Sequence, residues 1–323
     1  MQQFLDDLDR VLAADSDFQL PSTFLVDLDV AYANVLQSET RVSTTDLIEL
    51  GHTLKELRDR RRRELSSLLA KVPADDPIHC PVSLFGTMGY GRLETAHTRT
   101  LAWLLNPAGE HGFKGRLLEA FLKYVLREQA SHFCITHVDR VQSECGIESA
   151  ADELTAGRLD ILATGRCKLD GSDESWRLVI EAKIDADEGE EQLTRYYSFV
   201  YAVGEVSQDM RVLLTPDRRK PQTGDEHDWQ SISFSELAEI FGNALPDLRE
   251  TPGYHFLRFY LAGVLRDVCG VCIDATTDSA DPYAAVEYLR STRRARIGGP
   301  EHGERREVSA VLPQLSGRDE PAV

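Results

Sequence analysis

The chain has 323 residues, 42% of them apolar and 28% charged. That excludes wholesale disorder and allows two domains, or one large domain with extensions, at about 100–200 residues per domain. Its 36 Lys and Arg against 54 Asp and Glu, a net charge of -18, exclude a protein that coats nucleic acid through general basicity, though not an enzyme with a local basic groove.

No apolar run approaches the ~18 residues of a membrane span. The acidic start MQQFLDDLDR is unlike a secretory signal, so the expected location is the cytoplasm, without membrane contact. The cysteines at Cys80, Cys134, Cys145, Cys167, Cys269 and Cys272 are too sparse for a disulfide scaffold. Cys269 and Cys272 form a lone C-x-x-C with no second pair for a zinc ribbon, which leaves reduced thiols at a helix end.

In chain order, residues 1–72 read as helical. Leu5, Leu8, Val11 and Leu12 recur at helical spacing, as do Leu47, Leu50, Leu54 and Leu57, continued by Leu65, Leu68 and Leu69. Residues 46–72 fit one long amphipathic helix entered through Ser43, Thr44 or Thr45. It carries Arg58 and the run Arg60 to Arg63, either a phosphate- or partner-contacting patch or, more commonly, a solvated face paired with Glu56, Asp59 and Glu64. A break at 73–81 leads to Gly86, Gly89 and Gly91. These lack the Gly-Lys-Ser/Thr of a Walker loop and suggest a tight connection rather than a phosphate cradle.

Helices follow at 93–105, stopped by Asn106-Pro107, and at 115–129, with Leu117, Leu118, Phe121, Leu122 and Val125 on one face. The period then changes. Residues 138–147 alternate, and 158–163 and 177–182 are short apolar runs of strand type. The segment TGRCKLDGSDES between the last two reads as a turn-like connection, giving a three-stranded meander. A helix at 188–203, a fourth strand at 211–214, and helices at 235–245 and 252–268 complete the series. Residues from 276 onward are weakly apolar, and the Arg-, Glu-, Gly- and Pro-rich tail from Arg293 has the composition of a disordered segment.

Chemistry concentrates at Asp160 in one strand and at Glu181 and Lys183 at the end of the next. Alternation puts Glu181 and Lys183 on one face, and pairing of the two strands brings Asp160 beside Glu181. Apolar neighbours Ile161, Leu162, Val179 and Ile180 place the cluster against the core, where three charges are costly unless paired. A hard divalent cation pairs them, since Mg²⁺ takes carboxylate oxygens and water. Phosphodiester hydrolysis uses all three groups: a metal that activates water, and a lysine that stabilises developing charge. Taken alone, such a triplet is as easily an exposed salt bridge.

Three neighbouring segments add to it: Gly91-Arg-Leu-Glu94-Thr-Ala-His97-Thr-Arg99 through Asn106-Pro107 to His111-Gly112, Gly157-Arg-Leu-Asp160 leading to Ile180-Glu181-Ala-Lys183, and Glu191-Gln192-Leu-Thr-Arg-Tyr196-Tyr197. In this order, over roughly residues 85–245, the chain resembles a bacterial family of the PD-(D/E)XK nuclease superfamily. Leu159 stands where the proline of that name would be.

The resemblance implies an α/β restriction-endonuclease-like core, a central mixed sheet flanked by helices. It implies Asp160 and Glu181 as metal ligands, Lys183 as the motif lysine, Glu94 as a further ligand, and Gln192 and Tyr196 as a supporting pair. It also implies Mg²⁺, with Mn²⁺ able to substitute, a nucleic acid substrate, DNA in the first place, and a part in bacterial defence or DNA processing. RNA or single strands as substrate, or an idle or partner-gated binding module, are the alternatives.

The expected organisation is an N-terminal helical region at 1–80, a core with C-terminal helices at 81–275 and a weakly structured tail at 276–323. The N-terminal helices are the candidate surface for a second copy or a regulatory partner. His97 makes E-x-x-H with Glu94 but reads best as a core histidine, since no second E-x-x-H supplies a di-iron set. Arg99 pairs with Glu94 or contacts phosphate, and His111 lies in a loop near the site. The acids Asp185, Asp187, Glu188, Glu190 and Glu191 read as the first turn of a helix. Trp103 and Trp229 read as core rather than as base-stacking residues.

Overall fold

A computed structural model of the chain describes residues 44–127, 132–147, 157–189, 191–202, 206–225, 227–271, 273 and 282–297. The helix expected around Leu5 to Leu12, Glu190, Cys272 and the tail beyond 297 lie outside the described residues. So does residue 43, a candidate start of the first helix.

Five strands form one sheet: β1 (Phe133–Ile147), β2 (Gly157–Leu169), β3 (Ser172–Ala182), β4 (Gln208–Thr215) and β5 (Gln230–Ser233). They lie in the order β1-β2-β3-β4-β5. The first three are antiparallel, and β3, β4 and β5 are parallel. A parallel neighbour needs a crossover, and helix α5 (Gln192–Ala202) supplies it between β3 and β4. The last seven residues of β3 are all buried, as befits a central strand covered on both faces.

The segment expected as a loose connection between the second and third strands is largely strand. The register runs from Ile161↔Ile180 to Leu169↔Ser172, and only Asp170 (φ 51°) and Gly171 (φ 84°) turn. Positive φ at both is what a two-residue type I′ hairpin requires, and Asp-Gly suits it. The polar composition of that stretch reflects strand ends that reach past the covered part of the sheet. β5, four residues long, carries too little periodicity to be seen in the sequence.

Against one face of the sheet (Ile161, Ala163, Leu178, Ile180, Val212, Leu214, Ile232) pack α3 (Glu94–Leu105), α4 (Arg116–Leu126), α6 (Phe234–Ala244) and α7 (Tyr254–Gly263). The apolar row foreseen on α4 is buried throughout. Ser233 and Glu236 close a capping box at the start of α6. The other face carries Leu162, Val179 and Leu213 against Leu193 and Tyr196 of α5 and Trp229.

Between these layers and the N-terminus, α2 (Leu84–Thr87) is a single turn capped by Ser83. The glycines around it are packing positions: a Cβ on Gly86 or Gly91 would come within 2.7 or 2.8 Å of Asp267 Oδ2. α7 runs on into a π-helical turn, Val264–Val268.

The long helix α1 (Thr44–Leu69) matches expectation in extent but not in its apolar face. Leu65 is buried, whereas Leu50 and Leu57 are exposed. Its partner is α8 (Tyr283–Ile297), which lies inside the stretch expected to be weakly structured. α8 buries Ala285, Val286 and Leu289, spaced for one helix face. Arg61 lies over the Tyr283 ring at 4.6 Å, and Arg290 reaches Glu64 at 2.7 Å.

Candidate active site

The sheet delivers the acids. The β2–β3 register carries Asp160 to the end of β3, where its Oδ2 accepts a hydrogen bond from Ala182 N at 2.9 Å. Glu181 shares its face of β3 with Val179 and so points to the α5 side. Glu181 is 1% exposed and Lys183 7%. β4 fixes this end of β3, because Lys183 N donates to Leu214 O at 2.9 Å.

Glu181 Oε1 accepts from Lys183 Nζ and from Gln192 Nε2, each at 2.7 Å. Gln192 and Tyr196 are one turn apart on α5, as foreseen. Gln192 Nε2 also donates to Tyr196 Oη, which donates in turn to Arg158 O, both at 2.9 Å. Gln192 Oε1 accepts from Gly189 N at 2.9 Å, so the amide is fixed at both ends. Glu181 Oε2, by contrast, is buried and has no hydrogen-bond partner. Such an orphan is rare and costly unless a ligand completes it.

Glu94 opens α3, where the helix dipole favours a carboxylate. Its Oε2 accepts from Ile184 N at 3.0 Å and its Oε1 lies 3.5 Å from Lys183 Nζ. All six residues singled out from the sequence thus meet at one end of the sheet.

The electrostatics follow from burial. Burial raises Asp160 above the ordinary carboxylate value, outweighing the Ala182 hydrogen bond and the Lys183 charge. Burial also raises Glu181, and repulsion from Asp160 adds to it. For Lys183 burial works against the charged form, but Glu181, then Glu94 and Asp160, overcome it and hold the ammonium above its ordinary value. Tyr196 is raised by burial and by the charge of Glu181.

The donor set suits a hard divalent cation. Asp160 gives only Oδ2 to the backbone, and Glu181 offers an unpartnered oxygen. Among the described residues no three His, Cys, Asp or Glu side chains group to hold a metal ion, and Glu94 is engaged with Lys183 and Ile184. One or two carboxylates completed by water and substrate oxygens is what Mg²⁺ accepts.

The remaining expectations divide. His97 is a core histidine: its Nε2 donates to Gly91 O at 2.9 Å, its ring meets Phe85, Phe234 and Tyr260, and burial lowers its pKa. Arg99 does not pair with Glu94. It binds Glu144 of β1 at 2.7 Å, a partner too distant in sequence to foresee. His111 is buried scaffolding whose Nε2 lies 3.0 Å from both Trp103 O and Asn106 O and whose Nδ1 accepts from Phe113 N. Trp229 is buried and Trp103 packs against His111 and Phe256.

The acidic run precedes α5 instead of forming its first turn. Asp185 pairs with Arg92, Asp187 with Arg219, and Glu188 accepts from Gln222 N, Thr223 N and Thr223 Oγ1. Sequence reasoning passed over Arg92. Its guanidinium grips Asp185 with Nε at 2.9 Å from both carboxylate oxygens and sends Nη1 to Asp267 O at 2.7 Å. The available signal was a base two residues before Glu94 and an acid two residues after Lys183.

A family model described as the PD-(D/E)XK nuclease superfamily matches residues 83–261, more than half of the chain. The chain belongs to the PD-(D/E)XK nuclease superfamily. The match takes in the whole sheet and extends through α6 into α7, beyond the stretch whose motifs carry the resemblance. No curated protein and no solved structure matches the chain. The five-stranded mixed sheet with helices on both faces is the restriction-endonuclease-like α/β fold of this superfamily. Membership implies a nuclease, a hydrolase of nucleic acid of the kind that uses divalent metal. No described helix is long and apolar enough to cross a membrane.

Proposed function

We propose that this superfamily member hydrolyses phosphodiester bonds of DNA at the Asp160–Glu181–Lys183 cluster. The observation that carries the reading is the buried, unpartnered Oε2 of Glu181 beside Asp160, with Lys183 already paired to the other oxygen. Mg²⁺ or Mn²⁺ held by Asp160 and Glu181 would supply Lewis-acid polarisation of the phosphate and a more acidic water, while Glu94, the further ligand the resemblance implies, is occupied by Lys183 and Ile184 N.

The chain's own residues supply the rest. Lys183 is a fixed cation, a donor rather than a proton acceptor, suited to the charge that develops at phosphorus. Gln192, held by Gly189 and Tyr196, keeps Glu181 in one rotamer. Glu94 ties α3 to Ile184 N and so sets the height of the helix against the lysine.

The role we assign is defence against foreign DNA or DNA processing in a bacterium. The N-terminal region, residues 1–80, is the candidate contact for a second copy or a regulatory protein. The test is cleavage of plasmid, single-stranded DNA and RNA with Mg²⁺ or Mn²⁺ by wild type, Lys183→Ala and Asp160→Ala. Metal-dependent cleavage by wild type alone supports the reading, and the preferred substrate assigns the class. Equal cleavage by all three, or none by folded wild type with either metal, overturns it.

A further inference from the structure

Large apolar side chains that remain exposed are few among the described residues, and they fall in two places. Three lie on α1. The other four, Val82, Met88, Tyr90 and Leu93, lie within one short segment and each leaves close to half of its surface in solvent. That segment ends at the residue before Glu94. Leu93 occupies the N-cap of α3 without a capping side-chain bond, although Ser, Thr, Asp or Asn would serve the helix better there.

The segment is held firmly from behind. Tyr90 N donates to Phe85 O at 2.7 Å, and Leu93 N to Tyr90 O at 3.0 Å. Gly91 O takes the His97 bond. Arg92 is clamped to Asp185 and Asp267, and Gly91 packs against Asp267. Met88 and Tyr90 flank Gly89, whose φ of 76° suits glycine. Backbone and polar groups thus face inward while the tyrosine ring and its apolar neighbours face out, ordered in advance of any partner.

The charge around the site decides what the partner is. Asp185 and Asp187 beside it hold Arg92 and Arg219 in ion pairs, which leaves those cations engaged, and the chain carries -18 overall. Capture of a polyanion through phosphate contacts is therefore weak near the site. An aromatic ring with aliphatic flanks binds bases by stacking, which needs no positive charge and no particular sequence. Stacking is open only to bases out of a duplex.

We infer that the Val82–Leu93 segment is a stacking shelf for unpaired bases of the nucleic acid whose phosphate enters the Glu94–Glu181–Lys183 site. The enzyme therefore favours single-stranded or locally unpaired substrate. The inference rests on the proposed nuclease site and adds the form of nucleic acid it accepts.

The test is fluorescence anisotropy of the full-length chain with labelled oligothymidylate, oligouridylate and a DNA duplex, each at low and high salt. Wild type is expected to bind the single strands more tightly than the duplex and to lose little affinity with salt. Tyr90→Ala should weaken single-strand binding about ten-fold or more, Tyr90→Phe should retain it, and the indole added by Tyr90→Trp should be quenched by oligothymidylate. Preference between the two oligonucleotides separates DNA from RNA.

A duplex preference, or equal single-strand binding by wild type and Tyr90→Ala, overturns the shelf. If Tyr90→Ala and Leu93→Ser instead change the particle mass in light scattering and leave binding alone, the segment is a protein interface and the shelf is likewise overturned. Metal-dependent cleavage lost in Lys183→Ala, in a chain that still binds, reports on the proposed reaction separately from the shelf.

Discussion

Glu181, 2.7 Å away, is the main reason Lys183 is charged in the core, and Lys183 is the main force opposing the rise that burial and Asp160 impose on Glu181. Removing the cation should cost more than catalysis. Lys183→Ala is expected to lower cleavage by about 100-fold or more. It should also lower stability, because Glu181 is left buried against Asp160. Adding Glu181→Gln to Lys183→Ala should restore stability in urea titrations without restoring cleavage; a double variant as unstable as the single one would show that the pair is not the source of the loss.

His97 makes a different residue-scale case, in pH. Its Nε2 is bonded to Gly91 O while Nδ1 is buried without a partner. Burial lowers its pKa, outweighing the Gly91 bond and the Asp267 charge, and the Arg92 charge acts in the same direction as burial. The unfolded chain then binds the proton first, so stability is full above pH 6.5, the ordinary histidine value, and falls as pH drops below it. Urea titrations should show that decline in wild type and a shallower one in His97→Gln; identical slopes would contradict it. From sequence the E-x-x-H spacing was visible, but it was the aromatic cage of Phe85, Phe234 and Tyr260, assembled from α2, α6 and α7, that made this a core residue.

At the scale of elements, the β2–β3 hairpin depends on one glycine in its middle. A Cβ on Gly165 would lie 2.2 Å from His137 O and 2.6 Å from the Trp176 ring. The first contact is backbone, which cannot swing away. Gly165→Ala should therefore destabilise by about 1–3 kcal/mol or more. Gly171→Ala should be milder, about 1 kcal/mol, because only the left-handed backbone objects; nothing crowds its Cβ. Chemical denaturation that ranked the two in the opposite order would refute this account.

The same hairpin shows where sequence reading stops. The apolar runs at 158–163 and 177–182 were legible because burial on two faces leaves an unbroken apolar signature. Their continuation through Arg166, Lys168 and Asp173 was not, because paired strands beyond the covered sheet need no apolar side chains. The site was legible for the opposite reason: Asp160, Glu181 and Lys183 are polar where the pattern calls for apolar residues. Arg92 and the Arg99–Glu144 pair gave no such signal, since each joins elements remote in sequence.

For the whole molecule, α1 and α8 come from far ends of the described chain and bury Leu65 and Val286 in the shared core. Deletion of residues 1–72 should expose Ala285, Val286 and Leu289 and change the particle mass by light scattering; an unchanged mass would count against an association role for these helices. Metal gives a sharper reading of the molecule as a unit. Asp160 and Glu181 are held together, buried and partly unpaired, so the folded chain without metal carries an electrostatic cost that a cation bound only by the native state would relieve. Binding then stabilises by about 2.7 kcal/mol when metal exceeds its Kd a hundred-fold, a rise in melting temperature of roughly 5–11 °C for a core of this size. Asp160→Asn keeps an acceptor for Ala182 N while removing one of the two repelling charges. It is expected to melt at or above the wild-type temperature without metal and to show little rise with Mg²⁺ or Mn²⁺. Thermal denaturation of the two proteins with and without metal checks both halves. An equal rise in both would place the cation elsewhere, and a lower melting temperature of metal-free Asp160→Asn would mean that Asp160 contributes more to holding the fold than its repulsion of Glu181 takes away.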